Sequence, residues 1–585
     1  MAGLGHPQLD GLLGNIEMRR GQEIAFVCVG LILPLIVLGQ GLDPALLTTP
    51  STDSWPTYSG DYTARRHSGL KQINDLNVKH LALAWTMHLT AGMGRGATGG
   101  IGPGAGAASA ATTIVGGIAD EGVEAPGASS GSPNIKGSIL QMGGVLYVSS
   151  PDNAWAVDAR DGSILWHYFW KSRGGTHIGN RGMAMYHDWL FFETPDDELV
   201  SLDAKTGKER WHKDIADFNQ QYFSTSAPVV IGDHLIVGTG DDLAAPGFLQ
   251  SVDPETGDLQ WKWWSEPLKM GDPGSETWPN EDAMRHGAGE PWIPGSYDPQ
   301  LKLYYIGTGN PEPGRGETRK GDNLFTCTIV ALNVDTGKMV WYFQATPHDI
   351  YDWDSAQTPV LIDGEFNGKP RKMLAQANRN GYYFLLDRVT GEHLVTAPIT
   401  KGVNWSQGAK PNGSPLWNPD KTPQVGGAFV APASNGATNW MVPTFDPESG
   451  LFIFVTNDSY FESYITDLDP QAQRFGGIQT QGIADLGNAI TALDYKSGKV
   501  VWRDYFPSGG SIPNATGMLT TAGKLLFAGD SSGNNIIAFE TATGKPLWHA
   551  HIGLVSNAPE TYMLDGRQYV LVAATDALFA FALNQ

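Results

Sequence analysis

The sequence predicts an all-β fold, an eight-bladed β-propeller, and three observations carry that prediction. A hairpin unit recurs seven times, the units are spaced for four-stranded blades, and the two ends of the chain hold complementary halves of one more blade. The unit reads acidic-x-x-x-Gly-x-x-x-Trp after an alternating apolar run, with Asn replacing the acid once. Copies stand at Asp158/Gly162/Trp166, Asp203/Gly207/Trp211, Asp253/Gly257/Trp261, Asn333/Gly337/Trp341, Asp494/Gly498/Trp502 and Glu540/Gly544/Trp548. The seventh, Asp387/Gly391, carries Val395 where the tryptophan is due.

Each position has a physical task. Period-two alternation is a strand. The acidic side chain accepts hydrogen bonds from nearby N–H groups and the glycine takes positive φ, which makes a tight hairpin. The tryptophan opens the next strand and offers a flat ring to dock between neighbouring sheets. Units lie 45 to 107 residues apart, most near 50, with the longer gaps before Asn333 and Asp494. A blade needs about 40–50 residues. Hairpins scattered over several sandwiches are the competing arrangement.

The ends supply the eighth blade. Tyr569-Val-Leu-Val-Ala-Ala-Thr-Asp576 and the following Ala577–Ala582 give strands without a tryptophan strand, and His80-Leu-Ala-Leu-Ala-Trp85 gives a tryptophan strand without its hairpin. Pairing them closes the ring with strands from both termini. Residues 91–137 are rich in Gly and Ala with few large apolar side chains, so a long loop or a partly disordered insertion within the first blade is expected there. The expected organisation is a targeting segment at 1–42 and a single propeller domain at 43–585.

Composition narrows the function. Apolar residues make up 41% of the 585, enough for a core. Against 39 basic side chains stand 61 acidic ones, a formal charge of −22. That balance argues against a nucleic-acid partner, because phosphate contacts need Lys and Arg. It suits a soluble protein that steers a basic partner toward itself. The two cysteines, Cys28 and Cys327, exclude a disulfide scaffold, a Cys-type zinc site and a covalently attached c-type haem.

Arg19 and Arg20 precede the uncharged run from Ile24 to Gly39, the pattern of a secretory signal, and Met18 is a candidate start. Export to the periplasm follows. The run continues uncharged to Leu42, close to the length of a membrane span, so a membrane tether stays open if the segment is not cleaved. Pro34 and the small polar residues after it favour cleavage.

Three loops carry oxygen ligands without hairpin duty: Gly238-Thr-Gly-Asp241-Asp242, Gly307-Thr-Gly-Asn310-Pro311 and His348-Asp-Ile-Tyr-Asp352-Trp-Asp354. Such oxygens suit a hard cation such as calcium. At these residues, and over roughly 53–585, the chain resembles the pyrroloquinoline quinone (PQQ)-dependent alcohol dehydrogenases of the methanol/ethanol dehydrogenase type. The resemblance implies an eight-bladed propeller with PQQ and a metal ion on its axis.

Carried over by position, the resemblance implies Asp352 as the catalytic base, with Asn310, Asp352 and Asp242 as metal ligands. Asp242 falls where a glutamate is usual. Arg379 matches the basic residue beside the quinone carbonyls, and Trp292 the aromatic floor under the cofactor. Arg181, Thr225, Asn439 and Trp440 match further cofactor contacts. An Asp at the position of Asp354 characterises the lanthanide-dependent branch, so the implied ion is calcium or a lanthanide, with Asp354 as a further ligand. The chemistry coheres: a planar tricarboxylate needs an aromatic face and Arg donors, and a carboxylate near the cation can take an alcohol proton.

Two departures stand out. Gly175-Thr176 replace the adjacent cysteines usual in the family, and Lys136 aligns with a glutamate that contacts PQQ. The function implied is an exported dehydrogenase that oxidises a small alcohol to the aldehyde. With no haem motif in the chain, electrons leave to a separate cytochrome c-type acceptor. The alternative is a non-catalytic propeller of the same ancestry serving as a scaffold. A hydrolase lacks any recognisable nucleophile–base pair.

Overall fold

In a computed structural model, described over residues 41–48, 53–92, 113–118, 133–240, 243–469, 476–506, 516–530 and 534–584, the seven hairpins form as their spacing requires. Asp158, Asp203, Asp253, Asp387 and Asp494 each accept a turn N–H on a side-chain oxygen at 2.7–2.9 Å. All seven hairpin glycines take φ between 66° and 80°, the left-handed region closed to most side chains. These residues lie in one compact unit, Leu38–Gln585. Residues 1–40 of the expected targeting segment lie outside the described residues.

Among the described residues the strands form eight sheets of four or five strands and one two-stranded ribbon, and the α-helix Glu281–Arg285 is only five residues long. The fold is thus mostly β and poor in helix. Four sheets are simple antiparallel meanders, such as Ala184–Tyr186, Trp189–Glu193, Glu198–Asp203 and Glu209–Asp214. One sheet joins the chain ends: Leu81–His88 pairs antiparallel with Ala577–Leu583, from Leu81↔Leu583 to His88↔Ala577.

The tryptophans dock as their position predicts. Trp166 donates Nε1–H to Ala204 O at 2.9 Å and lies so flat on the next hairpin that a Cβ on Gly207 would sit 2.6 Å from its ring. Trp211, Trp261, Trp341 and Trp502 make the same reach, to Glu255, Val334, Arg388 and Thr541. Trp85 reaches Ala159, and Trp548 reaches Leu81. Where Val395 replaces the tryptophan, Tyr383 takes over: its ring lies near Gly498 and its hydroxyl donates to Tyr495 O at 2.8 Å.

The insertion corrects the expectation of a plain loop. Thr113–Gly117 forms a strand parallel to Ile164–Lys171. A strand on a sheet edge needs backbone partners and no core of its own. Small residues permit the approach, since a Cβ on Gly117 would sit 2.3 Å from Lys171 N. Residues 93–112 and 119–132 lie outside the described residues.

One hairpin is much longer than the rest. Leu451–Ile465 and Ile478–Asp494 pair from Leu451↔Asp494 out to Ile465↔Ile478. Strand alternation puts Phe461, Ser463 and Ile465 on one face, and that face overhangs the site described next.

Candidate active site

The site is assembled from loops at strand ends, where close backbone approach fixes the geometry. Asn310 follows Leu303–Gly307, whose last glycine presses against Ser355 so tightly that a Cβ would overlap its carbonyl. The Asn310 loop is tied on both sides: Ser355 N–H donates to Thr308 O at 3.0 Å, and Gly309 N–H to Glu290 O at 3.1 Å. Asn310 N–H donates to Asp354 Oδ1 at 2.9 Å.

Asp352 and Asp354 converge on one cation. Arg379, 5% exposed, bonds Asp354 through Nη1, and through Nη2 it reaches Asp352 Oδ2 at 3.1 Å and Ser434 O at 2.9 Å. Asp354 is fully buried, so it does not face solvent. Asp352 is partly exposed and holds φ at 69°, a costly conformation for a residue with a Cβ. Asp349 braces the turn by accepting the N–H groups of Tyr351 and Trp353 at 3.3 and 2.9 Å. Burial pushes the Asp349 carboxyl up.

A second cluster holds the aromatic residues. The Arg181 guanidinium lies 4.5 Å above the Trp292 ring and 5.8 Å from Trp440, an arrangement of cation–π geometry. Its Nη1 donates to Thr225 O at 2.9 Å and to Thr225 Oγ1 at 2.6 Å. With Lys136 they line a cavity of about 170 Å³. Burial, with Arg181 nearby, holds the Lys136 amine below its ordinary range. Trp292 packs with Ala356, two residues past Asp354, so the two clusters adjoin.

Asn439 stands apart. Its side chain donates to Asn435 O and accepts the Trp440 N–H at 2.8 Å, which fixes the loop bearing Trp440. Asp242 lies outside the described residues. The supports carry no sequence signature. Asp349 stands inside the His348–Asp354 motif, but its bracing contacts exist only in the folded turn. Glu193, within electrostatic reach of Arg181, is buried, bonded to Ser224 and has its carboxyl pushed up by burial to about 8.

A further cavity of about 220 Å³ opens over Asp352 and Asn310, walled by Ile350, Phe461 and Ile478. The residues fit the groups that the resemblance implies. Asn310 is 2% exposed, yet its Oδ1 is a buried acceptor without a hydrogen-bond partner. Such a group costs roughly 1–3 kcal/mol if left unsatisfied, and beside two carboxylates it suits a hard cation. Tryptophan faces with Arg181 and Lys136 suit a planar polyanion.

A mostly β scaffold thus carries an aromatic cavity lined by Arg181 and Lys136 beside the Asp352–Asp354 carboxylate pair. Residues 55–401 and 504–570 match the family of the PQQ glucose/ethanol/alcohol dehydrogenase β-propeller domain. Quinoprotein alcohol dehydrogenase PedH of Pseudomonas putida is 34% identical over 476 residues, 74% of this chain and 77% of that one. The crystal structure of the quinohemoprotein alcohol dehydrogenase of Comamonas testosteroni superposes with TM-score 0.78 at 27% identity, over 93% of this chain and 82% of that one. A europium-containing methanol dehydrogenase gives TM-score 0.75 at 27% identity, over 92% and 99%. The chain belongs to the PQQ-dependent alcohol dehydrogenases, oxidoreductases of alcohols.

Proposed function

We propose that this chain oxidises an alcohol to the aldehyde at Asp352, in the periplasm, and passes electrons to a separate cytochrome c-type acceptor. The observation that carries the reading is the convergence of Asp352, Asp354, Arg379 and the unpartnered Asn310 Oδ1 beside the Trp292 cavity. Trp292 and Trp440 would stack on the cofactor ring, while Arg181, Thr225 and Lys136 would hold its carboxylates. Lys136, where a glutamate is usual, adds positive charge to a pocket for an anion. Asn439 would act through Trp440.

Asn310, Asp352 and Asp354, joined by Asp242, would hold calcium or a lanthanide. Bound PQQ supplies a two-electron acceptor, and the cation beside it a Lewis acid. Asp352 takes the hydroxyl proton of the alcohol, and Arg379 holds that carboxylate in place. The eight sheets would be the eight blades of one ring, closed by the sheet from both termini. Support comes from the tryptophan links, which run from Trp85 on the first hairpin to Trp548 on Leu81. Residues 1–42 would direct export.

Reconstitution tests the reading. The protein loaded with PQQ and calcium, or with PQQ and a light lanthanide, should reduce an artificial dye with alcohols. Absence of PQQ binding with either ion would leave the scaffold reading.

A further inference from the structure

The cavity over Asp352 does not end the space available to a substrate. A second cavity, of about 230 Å³, lies beyond it, and Ile350 and Ile478 line both. The inner cavity is lined by Asp352, Asn310 and Ser434 together with Ile350, Phe461 and Ile478, and the hairpin adds Ser463, Gln479 and Thr480. The outer one continues the apolar wall through Trp417, Pro423 and Ile465. Arg315, Glu317, Lys320 and His348 also line the outer cavity, with Arg315 paired to Glu317 at 2.9 Å, Glu317 and Lys320 exposed, and His348 bonded to Gly321 O.

Two residues of this wall share one structural source. Ile465 and Ile478 are cross-strand partners at the far end of the long hairpin, and strand alternation puts them on the face of Phe461 and Ser463. Both belong to the stretch between the two segments that match the family.

We propose that the outer cavity is a tail subsite, and that the Ile465–Ile478 pair selects primary alcohols bearing an apolar chain or aryl group. This rests on alcohol oxidation at Asp352. The hydroxyl must lie within hydrogen-bond reach of that carboxylate, so the rest of the molecule extends toward Ile350 and Ile478. A short alcohol ends inside the inner cavity. A longer one passes between the two isoleucines and buries its methylenes against Trp417, Pro423 and Ile465. Each buried methylene is worth about 0.8 kcal/mol, roughly fourfold in kcat/KM.

The test is a chain-length series, from ethanol to 1-decanol, on the reconstituted holoenzyme. kcat/KM should climb with chain length and then level off. Ile465→Trp fills the outer cavity and should cut the 1-octanol to ethanol ratio of kcat/KM by roughly tenfold or more, through KM. Trp417→Ala enlarges the cavity and should move the levelling-off point to longer chains, which keeps the test decisive if the first variant misfolds. Saturation-transfer NMR of 1-octanol on the protein without cofactor should show its terminal methyl in contact, and lose that contact in Ile465→Trp. A flat chain-length profile, or an unchanged ratio in both variants, overturns the tail subsite. Methyl contact without oxidation of any alcohol, ethanol included, would uphold the subsite and overturn the oxidation reading instead.

Discussion

The Asp354 carboxylate accepts the backbone N–H of Asn310 at 2.9 Å. Asp354 is buried and also pairs with Arg379, which reaches back to Asp352. One buried acid therefore fixes the loop of the unpartnered Asn310 Oδ1 and the cation that orients the proposed base. The geometry separates two roles two residues apart: Asp352, partly exposed, can meet a substrate, while Asp354 cannot without displacing its partners.

For Asp352→Asn we expect kcat to fall by roughly 10²–10⁴-fold, the usual worth of a positioned general base. The amide keeps the shape and can still face Arg379, so PQQ should remain bound, as seen in its absorption spectrum. Near-normal kcat would remove Asp352 from the role of base.

Arg181→Ala should weaken PQQ binding by about tenfold or more, since a charge-assisted contact contributes around 1.5–3 kcal/mol. Trp292→Ala should do so too, by loss of the stacking face, while Trp292→Phe restores much of it. Quenching of tryptophan fluorescence on cofactor titration measures both without turnover. Unaltered affinity in both alanine variants would move the cofactor elsewhere.

Much of this was legible locally. The hairpin needs only an acid, a glycine and a tryptophan at fixed spacing, all within nine residues, so the sequence displays it directly. The replacement of the missing tryptophan at Val395 by Tyr383 was not legible, because Tyr383 precedes its hairpin and its contact with Tyr495 spans 112 positions. The strand at Thr113–Gly117 was hidden for a related reason: its partner edge, not its own composition, makes it a strand. At the site, Asn310, Asp352, Asp354 and Arg379 stood out as residue types in motifs. Their joining by Arg379 and the overhang of the long hairpin depend on tertiary placement.

The tryptophan dock can be measured against a control glycine. Gly207 and Gly232 both take positive φ, at 68° and 60°, but only Gly207 lies under a ring, that of Trp166. Gly232→Ala should cost about 1 kcal/mol from backbone strain alone. Gly207→Ala should cost that plus about 1–3 kcal/mol of overpacking. Equal losses in denaturant midpoint would remove the ring contact from the stabilising interactions.

Glu193 gives a pH dependence with an unusual sign. Burial raises its carboxyl from an ordinary 4.5 to about 8. Between those values the folded state holds the proton and the unfolded state does not, so stability falls as pH rises through this window. The loss is at most about 1.4 kcal/mol per pH unit for one group. Glu193→Gln should flatten the fall in Tm between pH 5 and 8, and a slope unchanged in that variant would assign the dependence to other buried acids such as Asp197, likewise raised to about 8.

The ion can be decided at Asp354. Asp352 and Asp354 bring two negative charges and Arg379 one positive, which leaves an excess that Asp242 would increase. A trivalent ion gains more from each added carboxylate than a divalent one, because the attraction scales with the product of charges. Removing Asp354 takes from Arg379 one of its carboxylate partners, and it also releases the Asn310 loop. Asp354→Ala should therefore lower affinity for a light lanthanide by tenfold or more, and by clearly less for calcium. Asp354→Asn keeps an acceptor for the Asn310 N–H and separates loss of charge from loss of loop support. Metal-free protein with PQQ, titrated with each ion and followed by calorimetry, gives both affinities independently of turnover. Full activity with calcium alone, joined to equal losses for both ions in Asp354→Ala, would leave an ordinary calcium quinoprotein and assign Asp354 to the loop.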